Sequence, residues 1–292
     1  MPEPPGMSGL QSRAPNANQA WWDGLTQRAR RDTQRRTRGD GVALYAMTCG
    51  WLSCDLSEML AGGEGRITFP IPAYLIDHPK GLVLFDTGLH PHSIDDPHTL
   101  VGPLATAFDV RSRPGDDIVS RLERLDVDPG RIRYIVNSHL HFDHTGGNGF
   151  VPNARVVIQQ TEWEAGRIPE LIDANFYNPI NYDHGHLVKR VDGEFDLFGD
   201  GTVVTIPTFG HTPGHQSLKL RLPGGEVVLA ADACYFCRTL ENMHLPSLVY
   251  DRARMLDSLL LLRKLRGNGA RIFFGHDPEF WRSIPQAPRS VV

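Results

Sequence analysis

Three histidines and one aspartate fall within six consecutive positions, at His139, His141, Asp143 and His144. They directly follow the apolar run 132–137, which predicts a buried strand. Imidazole and carboxylate are ligand types that suit zinc and similar divalent metals. Because side chains alternate along a strand, all four ligands can reach one place only if the strand ends here and turns into a helix. Two pairs of ligands are one pair more than a single ion needs, so the spacing indicates a site for two metals.

Three more residues with ligand side chains follow apolar runs elsewhere in the chain, and they are His211, Asp232 and His276. The runs before them, 202–206, 226–230 and 271–274, have the β-branched or aromatic content of strands. In layered α/β folds, sites are built where strands end and loops meet. A single histidine at a strand end is weak evidence for a metal ligand. The cluster at 139–144 strengthens it, because all three residues could converge on that cluster.

The segment 138–149, Ser-His-Leu-His-Phe-Asp-His-Thr-Gly-Gly-Asn-Gly, resembles the N-acyl homoserine lactonases of the metallo-β-lactamase superfamily. Segments 211–217, 232–235 and 273–277 are similar to the same family, and the similarity runs from about Leu44 to about Asp277. The resemblance implies an α/β fold, the metallo-β-lactamase-like αββα sandwich, in which two mixed β-sheets are flanked by helices. The predicted strands with interspersed helices fit that architecture.

The resemblance also implies a role for each ligand. Two divalent ions are expected per chain, most simply zinc, although iron, cobalt and manganese suit the same donors. The first ion is assigned to His139, His141 and His211, the second to Asp143, His144 and His276, and Asp232 is assigned to both. Two residues are expected to support these ligands from behind, namely Asp86 and His215.

The implied reaction is hydrolysis of the homoserine lactone ring by a hydroxide shared between the two ions. By resemblance, Tyr235 donates a hydrogen bond to the lactone carbonyl oxygen, and Asp143 carries a proton to the leaving alkoxide. Trp51 and Phe108 lie in or beside segments ahead of the site and are candidates for contact with the acyl chain. Core packing is the alternative role for both.

Other functions of the same fold stay open at this point. A related enzyme could open a different lactone, such as a pyridoxine-derived one, or cleave an ester or a thioester. A zinc β-lactamase is disfavoured because those enzymes commonly carry Cys where this chain has Asp232. A protein of another class, a non-catalytic RNA-binding module, would use the Arg-rich segment near the N-terminus.

Composition narrows the partners. The chain has 292 residues, 22% of them charged, and a net charge of −4, which disfavours nucleic acid and anionic membranes. No apolar run is long enough to span a bilayer, and no signal-peptide core follows the first residues, so we expect a cytoplasmic protein. We therefore expect a small-molecule lactone substrate and a monomer or homodimer.

Cys234 and Cys237 have a Cys-x-x-Cys spacing, but we expect reduced thiols because no second pair completes a zinc site.

Two domains are predicted. Residues 1–40 form an Arg-rich extension that contains Trp21 and Trp22, and residues 41–292 form the hydrolase domain. Within that domain the pattern predicts strands at 42–47, 73–77 and 82–85, a loop at 49–64, and helices at 116–125 and 255–265.

Overall fold

The computed structural model describes residues 41–291. The predicted extension 1–40 lies outside the described residues, so its boundary with the hydrolase domain stays a prediction. The first sheet is built from seven strands, which are β1 Ala43–Asp55, β2 Arg66–His78, β3 Gly81–Phe85, β4 Asp109–Val110, β5 Ile132–Val136, β6 Arg155–Gln159 and β7 Val188–Val191. The second contains five, which are β8 Phe195–Asp196, β9 Val203–Pro207, β10 Gln216–Leu222, β11 Gly225–Leu229 and β12 Arg271–Phe273.

Helices connect and cover these strands. In chain order they are α1 Leu56–Met59, α2 Pro97–Val101, α3 Ile118–Arg124, α4 Phe142–Thr145, α5 Gln160–Ala165, α6 Pro169–Ala174, α7 Cys237–Asn242, α8 Arg252–Gly267 and α9 Pro278–Ser283. Among residues 41–291, no helix is both long and apolar enough to cross a membrane.

The core has three apolar layers between four layers of secondary structure. Between the two sheets, Phe85 of the first sheet and Phe273 of the second belong to one buried cluster. Helix α3 packs on the outer face of the first sheet through Ile118 and Leu122. Helix α8 covers the outer face of the second sheet in the same way, with Met255 among its buried residues. The predicted αββα sandwich is therefore confirmed.

The strand directions bring separate loops to one place. Strands β3, β5 and β6 run parallel to each other, with the order β4-β1-β2-β3-β5-β6-β7 in their sheet. In the other sheet β11 and β12 are parallel, and β9 is antiparallel to β10, which is antiparallel to β11. Parallel strands end at the same edge of a sheet, so the loops after β3 and β5, and those after β9, β11 and β12, gather in two sets.

The predicted helices are confirmed with small shifts at their ends. Helix α3 begins after Asp117, whose carboxylate accepts a hydrogen bond from the Ser120 N–H at 2.9 Å. An aspartate at this position satisfies a backbone donor that the helix leaves unpaired. Helix α8 extends the predicted 255–265 by about one turn toward its N-terminus, where Asp251 caps it.

The predicted loop at 49–64 is wrong for residues 49–59, and only 60–64 lie outside helix and strand. Strand β1 continues to Asp55, paired with β2, with a register shift between Thr48 and Trp51, and helix α1 follows it. Gly50, with a φ of 140°, lies at the shift and approaches Leu89 closely. Mixed glycine and apolar residues suggested a loop, but pairing with the long neighbouring strand outweighs that local preference.

Replacing Gly50 with Ala tests this bend. A Cβ atom at Gly50 would lie 2.6 Å from the Leu89 Cδ1 atom, so we expect destabilisation of about 1–3 kcal/mol from overpacking and strain. Gly62 also has a positive φ, 74°, but a Cβ there meets nothing within 4 Å, so Gly62→Ala separates strain from collision. Urea unfolding measures both. Equal losses in the two variants would contradict the close-packing explanation.

Candidate metal centre and active site

The structure brings all seven predicted ligand residues together where the ends of the two sheets meet. His139 and His141 follow β5, and Asp143 and His144 lie on the short helix α4 that comes next. The other three follow strands of the second sheet, and they are His211, Asp232 and His276. Two groups of ligand atoms result, with the atoms of each group within 4.8 Å of one another: His139, His141, His211 and Asp232 form one, and Asp143, His144 and His276 form the other.

Asp232 lies between the two groups. Its Oδ2 atom is 3.3 Å from His211 Nε2 and 3.8 Å from His139 Nε2. Its Oδ1 atom is 3.0 Å from His276 Nε2 and 3.2 Å from His144 Nε2. Each carboxylate oxygen therefore faces a different group, the arrangement that a bridging carboxylate requires.

The donor set fits two divalent cations. His144 Nε2 and Asp232 Oδ1 are buried and lie 3.2 Å apart, yet neither atom makes a hydrogen bond of acceptable geometry. Such unpaired buried atoms cost about 1–3 kcal/mol each unless something else binds them. In the first group, His139 Nε2 and His141 Nδ1 face each other at 2.8 Å, where only one of them can carry a proton. A cation among these nitrogens and oxygens satisfies all of them. Together the two groups indicate a dinuclear divalent metal site.

Each ligand histidine has its outward ring nitrogen fixed by a second partner. His141 Nε2 donates to the Asn175 carbonyl oxygen at 2.9 Å, so its Nδ1 faces the cluster. His276 Nδ1 donates to the Pro70 carbonyl oxygen at 3.0 Å. The remaining three outward nitrogens contact side chains: His139 Nδ1 lies 2.9 Å from Ser138 Oγ, His144 Nδ1 2.9 Å from Asp86 Oδ2, and His211 Nδ1 3.4 Å from Tyr235 Oη. These partners select the ring tautomer and hold each ring in place.

Asp86 supports the site from a strained backbone position. With a φ of 56°, it ends β3 in the left-handed region, which is uncommon for residues other than glycine. Its carboxylate accepts from the Ser138 N–H at 2.7 Å and from the Ser138 hydroxyl at 2.8 Å, besides contacting His144. Strain of this kind persists where the surroundings fix the conformation, which is typical of functional sites.

His215 acts on the bridging carboxylate through the backbone. Its Nε2 atom accepts a hydrogen bond from the Asp232 N–H at 3.1 Å, and its Nδ1 atom donates to the Thr208 carbonyl oxygen at 3.1 Å. The structure thus places His215 beside Asp232, and its supporting role stays a prediction. Asp277, by contrast, contacts no ligand histidine in these bonds: its carboxylate accepts from the backbone N–H groups of Cys237, Glu279 and Phe280.

The buried charges shift each other's protonation. Burial would raise the pKa of Asp232, but the His144 and His276 rings beside it lower that pKa well below its usual value. Burial would lower the pKa of His144, yet the nearby carboxylates, Asp232 first, raise it. In the first group burial dominates and lowers the pKa of His139 and His211, which favours the neutral imidazole that binds metals.

A cleft of about 170 Å³ opens onto this cluster. Its apolar wall includes Leu52, Met59, Phe69, Leu104, Phe108 and Phe176. Phe108 thus lies where an acyl chain was expected, whereas Trp51 is not among the residues lining the cleft. The Trp51 backbone instead bonds to the segment that follows β4, since its N–H donates to Ser112 Oγ at 2.8 Å.

Tyr235 also lines the cleft, next to the cluster. Its side chain is only 7% exposed, and its hydroxyl lies 3.4 Å from His211 Nδ1. Burial, followed by the carboxylates of Asp232 and Asp143, raises the pKa of this phenol well above its usual value. The hydroxyl is therefore protonated at neutral pH and can donate a hydrogen bond into the cleft.

Glu162 was not singled out from the sequence. Its side chain is fully buried and contacts the loops of both His141 and His211. A signal was present in the sequence, since Glu162 closely follows strand β6, just as the predicted ligands follow their own strands.

The cysteines form no part of this site. All four are free thiols, and burial raises the pKa of Cys54 to about 12.

Comparison with known proteins places this geometry in a family. The metallo-beta-lactamase superfamily pattern matches residues 66–276. The N-acyl homoserine lactonase AttM of Azorhizobium caulinodans is 34% identical over 259 residues, which cover 85% of this chain and 97% of that protein. The N-acyl homoserine lactonase AiiA of Bacillus thuringiensis subsp. kurstaki is 31% identical over 255 residues, covering 85% and 98%.

Solved structures agree. An N-acyl homoserine lactone hydrolase, with the product N-hexanoyl-L-homoserine bound at its catalytic metal centre, superposes with a TM-score of 0.77 at 29% identity. That match covers 86% of this chain and all of the other. The chain therefore belongs to the metallo-β-lactamase superfamily and, within it, to the family of the N-acyl homoserine lactonases.

Removing one ligand tests the metal centre. We expect His141→Ala to lower the bound metal from about two ions per chain to one or none, because His141 Nδ1 faces both His139 and His211. Elemental analysis of the purified protein measures this. His92→Ala is the control, since the His92 side chain is 65% exposed and outside both groups. Retention of two ions by the His141 variant would contradict the assignment.

Proposed function

We propose that this protein hydrolyses the lactone ring of N-acyl homoserine lactones with two divalent metal ions, most simply zinc. The observation that carries the proposal is the juxtaposition of the two ligand groups with an apolar cleft that also contains Tyr235. The named activity of the relatives supports it, since the chain covers nearly their whole length. The proposal includes a small-molecule substrate and no nucleic-acid partner, and it applies to a monomer or a homodimer.

The charges of the cleft favour a neutral substrate. Glu58, Asp143 and Asp232 contribute carboxylates to its lining. Among residues 41–291, no Lys or Arg lines this cleft. Phosphodiesters, β-lactams and glutathione thioesters carry anionic groups that a positively charged side chain would normally bind. An N-acyl homoserine lactone has no such group, and its acyl chain matches the apolar wall that includes Leu104 and Phe108.

In this mechanism the protein holds and orients the reacting groups. One ion would be held by His139, His141 and His211, the other would be held by Asp143, His144 and His276, and Asp232 would offer one carboxylate oxygen to each group. When bound, the two ions supply a nucleophile at neutral pH by lowering the pKa of water, and a Lewis acid for the ester carbonyl. The apolar wall holds the acyl chain and keeps water away from it.

Two side chains then act on the oxygens of the ester. The Tyr235 hydroxyl donates a hydrogen bond to the carbonyl oxygen as negative charge develops there. Asp143 takes up the proton that the attacking water loses, and it delivers this proton to the leaving oxygen when the ring C–O bond breaks, so that this oxygen becomes the hydroxyl of the open product. The other product group is a carboxylate, so each turnover releases one proton at neutral pH.

Proton release gives a direct test. We expect rapid hydrolysis of N-acyl homoserine lactones across a panel of acyl chain lengths, because the cleft offers both the ligand groups and an apolar wall. A pH-stat measures the rate through the protons released. A strong chelator should abolish the activity, and added zinc should restore it. The matched control is a simple lactone without an acyl amide. Protein that carries two ions and hydrolyses none of the panel would contradict the substrate assignment.

The role of Tyr235 is tested by Tyr235→Phe. We expect kcat to fall about 10- to 150-fold, because a hydrogen bond to a charged group is worth about 1.5–3 kcal/mol. The metal content should stay unchanged, which elemental analysis of the same sample measures. Tyr134→Phe, in strand β5 and packed against the core between the sheets, is the control. Full activity of the Tyr235 variant on every lactone would show that the phenol has no part in the reaction.

A further inference from the structure

The side chain of Glu162 joins the two loops that carry the first group of histidines, and it is fully buried. Its Oε1 atom accepts a hydrogen bond from the Leu140 N–H at 3.0 Å and another from the Tyr177 hydroxyl at 2.6 Å. Its Oε2 atom accepts from the Thr212 hydroxyl at 2.9 Å and from the Gly214 N–H at 2.8 Å. One carboxylate therefore receives four donors, two on each oxygen.

The positions of these donors give the contacts their meaning. Leu140 lies between His139 and His141, and Thr212 directly follows His211. Oε1 thus holds the loop after β5 in the first sheet, while Oε2 holds the loop after β9 in the second. The carboxylate fixes the separation of the backbone segments from which all three histidines of the first group project.

Close packing reinforces this connection. A Cβ atom at Gly214 would lie 2.3 Å from the Glu162 backbone nitrogen, so only glycine allows the loop to reach helix α5 at this distance. The segment 175–177 adds a second connection. Asn175 accepts the hydrogen bond from His141 through its carbonyl oxygen, Phe176 has a φ of 55°, and Tyr177 bonds to Glu162.

We propose that Glu162 is a positioning residue that sets the metal affinity of the group His139, His141 and His211. It touches neither substrate nor ion, and it acts by holding the two ligand loops at a fixed distance. The inference rests on the metal centre of the proposed function and does not depend on which lactone is cleaved.

Glutamine cannot replace this carboxylate. Two of its four donors are backbone N–H groups, one on each oxygen, and these cannot become acceptors. In Glu162→Gln, the side-chain NH₂ group must therefore face one of them, which leaves an unpaired donor in either the Leu140 loop or the Gly214 loop. The change keeps the volume of the side chain and removes only the connection between the loops.

The test is a stepwise competition titration of the metal-free protein with Zn²⁺ against a chromophoric chelator. His211→Ala and His276→Ala identify which binding step belongs to which group. In Glu162→Gln we expect the step of the first group to weaken about 10- to 100-fold, as for other residues that orient ligands. The step of the second group should change less than about threefold. Glu164→Gln is the matched control, being on the same helix but exposed.

Hydrogen exchange of the metal-free protein gives a second readout. At least one of the Leu140 and Gly214 amide protons should exchange faster in Glu162→Gln than in Glu164→Gln, while core amides in β5 remain protected. Unchanged affinity in both steps would overturn the proposal. Equal weakening of both steps, together with a lower melting temperature of the metal-free protein, would also overturn it, since that result means general loss of structure.

Two milder variants keep the proposal testable if Glu162→Gln does not fold. Tyr177→Phe and Thr212→Val each remove one hydroxyl donor and leave the carboxylate with both backbone N–H groups. Each should weaken the first group's binding step about 2- to 10-fold, less than Glu162→Gln does, because the carboxylate still joins the two loops through both backbone N–H groups. Wild-type affinity in both variants would overturn the proposal. Protein that binds two ions but hydrolyses no lactone would leave this inference intact and remove only the proposed function.

Discussion

The buried carboxylate of Asp232 is the group on which the rest of the site depends. It is 4% exposed, and each of its oxygens faces a different set of histidines. A carboxylate removed from water is stable only if positive charge and hydrogen-bond donors surround it. The histidine rings beside its two oxygens and the metal site that the two groups define meet that requirement. Both sheets must therefore end close together, because each contributes part of this surrounding.

A second layer of contacts, made by the partners of the outward ring nitrogens, orients the histidines of the cluster. Every ligand imidazole has its outward nitrogen bound, and the partners come from loops that are distant in the sequence, such as Pro70 and Asn175. The strained backbone at Asp86 and at Ala231, with φ values of 56° and 45°, lies immediately beside this layer. The fold maintains these conformations because the packed sheets leave the loops no alternative path. Rigidity at the ligands is thus a consequence of the sandwich and not of the ligands themselves.

The cleft has a polar part and an apolar part. Its floor is strongly polar, with the ligand histidines and carboxylates, while its wall is apolar, with residues such as Met59 and Phe69. An ester with an apolar chain and a polar reacting ring matches these two parts of the cleft. The carboxylates at its lining, with no Lys or Arg among the described lining residues, make the same space poorly suited to anionic groups beyond the metal site. Under the proposed function, the apolar wall and the carboxylates of the lining would contribute to substrate choice together with the metal site.

The fold class could be predicted from the sequence, and so could the seven candidate ligands that the structure brings together. Ligands such as His139 and His211 follow strands whose apolar pattern is strong, and the spacing at 139–144 is too dense to be incidental. Tertiary structure alone decided the rest. Backbone carbonyls such as those of Pro70 and Asn175 have no side-chain signature, because any residue can supply one. The length of β1 depended on pairing with β2. Only the folded chain places Phe108 in the lining of the cleft and leaves Trp51 out of it. Glu162 lies at a predictable strand end, yet its importance comes from contacts across 22 and 50 residues of sequence, which no local pattern encodes.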